Sequence, residues 1–183
     1  MRTYQHILLA ALFAGAAQTA SAAPAASYAG QDGREIKALS AEDTQAFLSG
    51  KGMGLAKAAE LNGYPGPSHV LGLASELGLT ARQKQLTQAL FAVMEERAVG
   101  FGRGLVEEER KLDRLFANKA ITPELLTRSL ARIGELQAKV REVHLATHLD
   151  QARILTPEQI AHYMQLRGYA SAQATPGAEH HRH

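Results

Sequence analysis

Residues 80–117 read TARQKQLTQALFAVMEERAVGFGRGLVEEERKLDRLFA, and this stretch decides the fold. Leu86, Leu90, Met94, Ala98, Phe101, Leu105, Leu112 and Phe116 recur at spacings of three, four or seven, one apolar stripe on a continuous α-helix. Asn118-Lys119-Ala120 breaks the pattern. Thr122-Pro123 then opens a second long helix, with Leu126, Leu130, Ile133, Leu136, Val140 and Val143 on its stripe, running to about Ile154. At 1.5 Å per residue the first helix is about 55 Å long, whereas a compact domain of this size has a radius of gyration of about 15 Å. The two long helices therefore form an elongated hairpin that shorter helices cover only in part. Apolar surface is left for a second subunit or another chain.

Working outward, Leu39, Phe47 and Leu48 suit one face of a helix that Gly50, Gly52 and Gly54 interrupt, and Leu55 to Leu61 resumes it. Asn62-Gly63-Tyr64-Pro65-Gly66-Pro67 is the strongest breaker in the chain and must turn. A short helix from His69 to Leu77 stops at Gly78, and a last one spans about 157–167 before Gly168. No strand-like alternation occurs, so the fold class is all-α, with the helical domain over 39–169. Residues 23–38 are small, polar and glycine-bearing and read as a disordered arm, and 170–183 as a flexible tail.

The first 22 residues read as a cleaved export signal. Arg2 supplies the positive start, Ile7 to Ala17 the apolar run, and Ala20-Ser21-Ala22 the small-residue cleavage site. The run is shorter than the roughly 20 residues needed to cross a bilayer, and no second run of spanning length follows. A soluble protein outside the cytoplasmic membrane, without stable membrane insertion, is expected. Charge is balanced, with 20 Lys+Arg against 18 Asp+Glu, which argues against nucleic acid as a partner. The absence of Cys excludes disulfides, thiolate metal sites and a lipidated N-terminal Cys. No catalytic grouping is present: there is no G-x-S-x-G, no thiol and no placed carboxylate pair. The chain is not expected to be an enzyme or to require a cofactor.

The main helix starts carry capping chemistry. In Thr80-Ala81-Arg82-Gln83 the hydroxyl accepts from the Gln83 amide while the Gln83 side chain returns to the Thr80 amide. Thr156-Pro157-Glu158-Gln159 repeats the box, with proline where no amide hydrogen is needed. Thr122-Pro123-Glu124 keeps the cap and the proline but places Leu125 where the box wants Glu or Gln. Each cap is worth about 1 kcal/mol.

With their leading leucines these boxes are Leu79-Thr80-Ala81-Arg82-Gln83 and Leu155-Thr156-Pro157-Glu158-Gln159, two L-T-x-x-Q motifs flanking the long helices. Leu79, Thr80, Gln83, Leu155, Thr156 and Gln159, together with the stretch from Glu60 to Leu71 and the closing Leu166-Arg167-Gly168-Tyr169, make residues 50–169 resemble the Spy/CpxP family of periplasmic stress chaperones and related periplasmic heavy-metal sensor proteins. The resemblance implies a thin cradle of long antiparallel helices, assembled as an antiparallel homodimer in the periplasm. It implies an ATP-independent chaperone or envelope-stress adaptor that binds unfolded or misfolded envelope proteins, with a membrane sensor kinase as a further partner. Phe101 and Leu105, with Arg97 and Arg103, are the candidate client-binding residues. The alternative on the same fold is a heavy-metal sensor or buffer for zinc, nickel or copper.

His144 and His148 lie at i and i+4, on one helix face, which is chelating geometry for a divalent metal. Glu142, Asp150, Gln151 or a partner's histidine would have to complete the set. The competing reading is that both rings pack beside the Val140/Val143 stripe. His180, His181 and His183 form a weaker candidate cluster in the tail, readable also as an inert solvated end. His69 and His162 are lone helix histidines with no assigned chemistry. Gly100, Gly102 and Gly104 sit inside a helix with no preceding strand, so they are not a nucleotide loop. They permit a bend or a close helix approach. The run Glu107 to Arg114 reads as a solvated charged face.

The A-x-A site makes one direct prediction. Protein recovered from its native host should start at or near Ala23, and an intact mass corresponding to a start at Met1 would refute the export signal.

Overall fold

The computed structural model describes residues 27–169 of the chain. The expected export signal, the start of the arm and the tail histidines His180, His181 and His183 lie outside the described residues. The described residues are helices and turns without a strand, an all-α fold. Residues 27–32 fall in a separate unit, where Gln31 N–H donates to the Tyr28 carbonyl at 3.0 Å, and the helical unit begins at Gly33.

Among the described residues six helices follow: α1 (Ala41–Leu48), α2 (Lys57–Glu60), α3 (Pro67–Gly72), α4 (Ala81–Ala117), α5 (Pro123–Ile154) and α6 (Pro157–Leu166). The long helices begin and end where the caps place them. Thr80 Oγ1 accepts from Gln83 N–H, Thr122 Oγ1 from Leu125 N–H and Thr156 Oγ1 from Gln159 N–H. A third complete box, which the sequence reading did not single out, opens α1: Ser40 Oγ accepts from Asp43 N–H at 2.9 Å. Hydrogen bonds from Ser40 hold the Asp43 carboxyl below its ordinary range. The third helix is shorter than the expected His69–Leu77, because Gly72 ends it and the chain turns down to Gly78.

α4 and α5 pack side by side and antiparallel. Thr87 meets Gln151, Met94 and Ala98 meet Val143, and Leu105 meets Ile133 and Leu136, so one helix ascends as the other descends. Leu105 is 1% exposed, and truncating such a side chain costs about 2–5 kcal/mol. Three members of the expected stripes are exposed to solvent: Leu86, Phe116 and Leu130. A straight helix of 3.6 residues per turn drifts away from a single seam over ten turns, so the ends of a long stripe rotate outward. A separate core joins α3, α6 and the start of α4, with Val70, Leu77, Leu155 and Tyr163 at its centre.

Two expectations change. Residues 33–38, read as part of a disordered arm, belong to the helical unit, since Ile36 is 2% exposed. The charged run on α4 anchors this segment rather than being only solvated. Asp113 accepts from the Lys37 backbone N–H at 3.0 Å, and Arg110 pairs with Glu35 at 2.9 Å.

The glycines inside α4 separate into different jobs. A Cβ on Gly102 would overlap the Phe47 carbonyl oxygen and sit 2.9 Å from its carbon, so α1 lies directly on the α4 backbone there. A Cβ on Gly104 would lie 3.2 Å from the Leu136 side chain, and one on Gly100 would meet nothing. Gly100→Ala should therefore stabilise the protein by up to about 1 kcal/mol through helix propensity, whereas Gly102→Ala should destabilise it by about 1–3 kcal/mol by forcing α1 away. Urea unfolding of the two variants checks this, and equal shifts would refute the close approach.

Candidate functional site

The breaker at 62–67 turns the chain tightly enough to bring the end of α2 back over α5 and α6. At its base Glu60 is the only buried carboxylate among the described residues. Tyr163 O–H donates to Glu60 Oε1 at 2.5 Å, and Gly66 N–H donates to Oε2 at 3.2 Å. Arg167 Nε and His69 Nδ1 each stand 3.4 Å from Oε1, and His148 Nδ1 stands 3.8 Å from Oε2. Four elements beyond α2 thus converge on one carboxylate, which must be compensated because a bare buried charge is costly. Burial and the hydrogen bond to Glu60 push the Tyr163 hydroxyl far above its ordinary range, so it stays a donor.

Beside this cluster lies a cavity of about 500 Å³. Its walls include the glycine-rich loop after α1, Phe91 and Met94 of α4, and His144 and His148 of α5. His148 Nδ1 donates to the Tyr64 carbonyl at 2.7 Å, which uses one ring nitrogen and leaves Nε2 as the free one. A Cβ on Gly66 would sit 2.9 Å from His148 Cε1, so the ring and the turn fit only with glycine there. His144 is 6% exposed, and its Nε2 is buried without a hydrogen-bond partner. Burial first, and the neighbouring His148 second, lower its pKa.

The sequence-predicted residues are distributed as follows. His144 and His148 share the cavity wall, as their spacing requires, but Glu142, Asp150 and Gln151, expected to complete a metal set, do not line it. Glu142 pairs with Lys139 at 2.8 Å and Asp150 with Arg153 at 2.7 Å, while Gln151 Nε2 donates to Thr87 Oγ1 at 3.2 Å and its Oε1 is buried without a hydrogen-bond partner. No cluster of three or more His, Cys, Asp or Glu with metal-holding geometry occurs among the described residues. Two of the candidate client-binding residues are core: Leu105 is buried and Phe101 is half-buried against both clusters of the α4–α5 interface. Arg97 and Arg103 are exposed.

The two L-T-x-x-Q boxes do more than cap. Gln83 Nε2 donates to Gln159 Oε1 at 2.7 Å and to the Ile154 carbonyl at 3.0 Å. Gln159 Nε2 returns to Gln83 Oε1 at 3.2 Å and to the Leu77 carbonyl at 3.1 Å. The start of α4, the end of α5 and the start of α6 are thereby locked together. Sequence reasoning did not join Glu60, Tyr163 and Arg167 into a cluster; a local signal was the acidic residue just ahead of the breaker.

Comparison with known proteins matched no family model, no curated protein and no solved structure.

The buried His144 carries a pH prediction. Its folded pKa lies below the ordinary imidazole value of 6.5, so its contribution to stability is fully present above 6.5. As pH falls below that value the unfolded chain takes up the proton first, and the contribution is progressively lost until pH passes the folded pKa. Between about pH 7 and about pH 5 wild type should lose more Tm than His144→Leu, by scanning calorimetry. Equal losses would show that His144 is not the buried neutral group described.

Proposed function

We propose that this chain is an exported, ATP-independent holdase and envelope-stress adaptor of the Spy/CpxP kind, acting in the periplasm on unfolded or misfolded proteins. The carrying observation is the set of large apolar side chains that the long helices leave in solvent. Leu86 and Val93, seven residues apart, share one side of α4, and Leu130 and Leu149 are exposed on α5, at 36%, 54%, 53% and 48%. Exposed Arg97 and Arg103 lie on the same helix as the first pair. Such a surface, apolar groups interspersed with mobile cations, meets both apolar and acidic segments of an unfolded chain and discriminates loosely between clients. In this reading the antiparallel α4–α5 pair is the elongated hairpin of a cradle, and two copies form an antiparallel homodimer. A membrane sensor kinase is the further partner. No helix among the described residues is long and apolar enough to cross a membrane.

The second reading, a heavy-metal sensor or buffer for zinc, nickel or copper, has one observation on its side: His144 and His148 line the same cavity as Glu60 and His69. One set of experiments separates the two. Equimolar protein in chelator should suppress aggregation of an unrelated unfolding client without ATP. The double variant Leu86→Asp/Val93→Asp, altered only at exposed positions, should lose about half or more of that suppression while remaining helical. Light scattering of the wild type should give the mass of a dimer. No suppression in chelator, together with a metal-induced rise in Tm that His144→Ala/His148→Ala abolishes, would replace the holdase by the metal protein.

A further inference from the structure

We propose that the cavity between the glycine-rich loop, α4 and α5 binds a small organic anion with an apolar body, of which a medium-chain carboxylate is the simplest member. The inference does not rest on client holding and competes with the metal reading for the same space.

The cavity volume of about 500 Å³ falls within the range of about 300–1,000 Å³ typical of small-molecule sites. Its apolar wall is Phe91 and Met94, and part of a second wall has no side chains at all, being Gly50, Gly52, Gly54 and Gly66. The glycines are there for different reasons. Gly50 and Gly54 have φ of +65° and +77°, which side chains resist. At Gly66 a Cβ would strike His148. At Gly52 neither constraint applies: its φ is outside the left-handed region, and a Cβ would sit 3.6 Å from His144 Nδ1, an ordinary contact. Nothing in the backbone forbids a side chain at Gly52, yet without one the space over His144 stays open.

The charges favour an anion. Lys51, Lys57 and Arg167 line the cavity against Glu60 and Glu95. Glu60 is already compensated by Tyr163, Gly66 and Arg167. Among the described residues neither lysine has a carboxylate within ion-pair distance, so an incoming charge meets two free ammonium groups and one free carboxylate. A metal ion would meet the same two ammonium groups, which repel it. The bond to Tyr64 leaves His148 Nε2 free, but the Glu60 oxygens that would share a metal with it are taken by Tyr163 and Gly66. The arrangement therefore suits an acid head beside Lys51 and Lys57 and an apolar chain over Phe91 and Met94.

Isothermal titration of the mature full chain with octanoate, octanol and octylamine tests this. Octanoate should bind saturably with one site per chain, octanol about tenfold or more weaker, and octylamine without saturation. Gly52→Leu, which fills the space over His144, should weaken octanoate by about tenfold or more, and Lys51→Ala/Lys57→Ala should do the same, both with unchanged circular dichroism. If Gly52→Leu fails to fold, the lysine double variant decides alone. Aggregation suppression should be the same in Gly52→Leu and wild type, which separates failure here from failure of the holdase. Absence of saturable octanoate binding, octylamine binding as tightly as octanoate, or octanoate binding unaffected by a folded Gly52→Leu would each overturn the proposal. Zinc binding lost in Gly52→Leu without any octanoate binding would assign the cavity to a metal instead.

Discussion

The reciprocal amide pair between Gln83 and Gln159 is the contact on which the arrangement of the helices depends. Each side-chain amide has two N–H groups and one oxygen, and here every one is used. Each oxygen accepts from its own threonine's backbone N–H, and each nitrogen donates across to the other glutamine and to a backbone carbonyl, one at the end of α5 and one in the turn before α4. The carbonyls so satisfied, Ile154 and Leu77, lie where α5 ends and where the chain approaches α4. A helix end that would otherwise need water is closed by a side chain 71 residues away in sequence. Removing either glutamine leaves several buried or half-buried groups without partners at once, a penalty larger than one lost cap.

With that junction fixed, the neighbouring core places Tyr163 where its hydroxyl reaches Glu60. Glu60 in turn fixes the turn at 62–67 through Gly66 N–H, and the turn fixes His148 through the Tyr64 carbonyl. The chain of contacts runs from a helix cap to a buried carboxylate to the wall of a cavity. A buried carboxylate held by neighbours from so many segments is weak evidence for net stability, but it specifies one arrangement of them. Outside the cavity, Gly102 lets α1 rest on α4, which sets the position of the glycine-rich loop after α1 that lines it. Nε2 of His144 and Nε of Arg167 are buried atoms of the cavity-lining residues that make no hydrogen bond, although Arg167 Nε stands 3.4 Å from Glu60. Such an atom lowers stability where it stands and is more readily understood at a site that does something than in an inert core.

Much of this protein was determined by the sequence alone. Stripes at helical spacing, three threonine caps and two prolines at first helical positions set the boundaries of α4, α5 and α6 almost to the residue, because capping and periodicity are local and act through neighbours three or four positions away. The i, i+4 placement of His144 and His148 on one face was legible for the same reason. What the tertiary structure alone decided is everything that depends on which side of a helix meets which neighbour. Phe101 and Leu105 entered the core while Leu86, Phe116 and Leu130 stayed outside, a choice that turns on helix rotation and not on hydrophobicity. Tyr163 and Arg167, one turn apart, met Glu60 from 103 residues away and more, and Gln83 found Gln159 across 76. No local rule links such residues, because the energy that joins them exists only once the chain has folded and water has left the space between them.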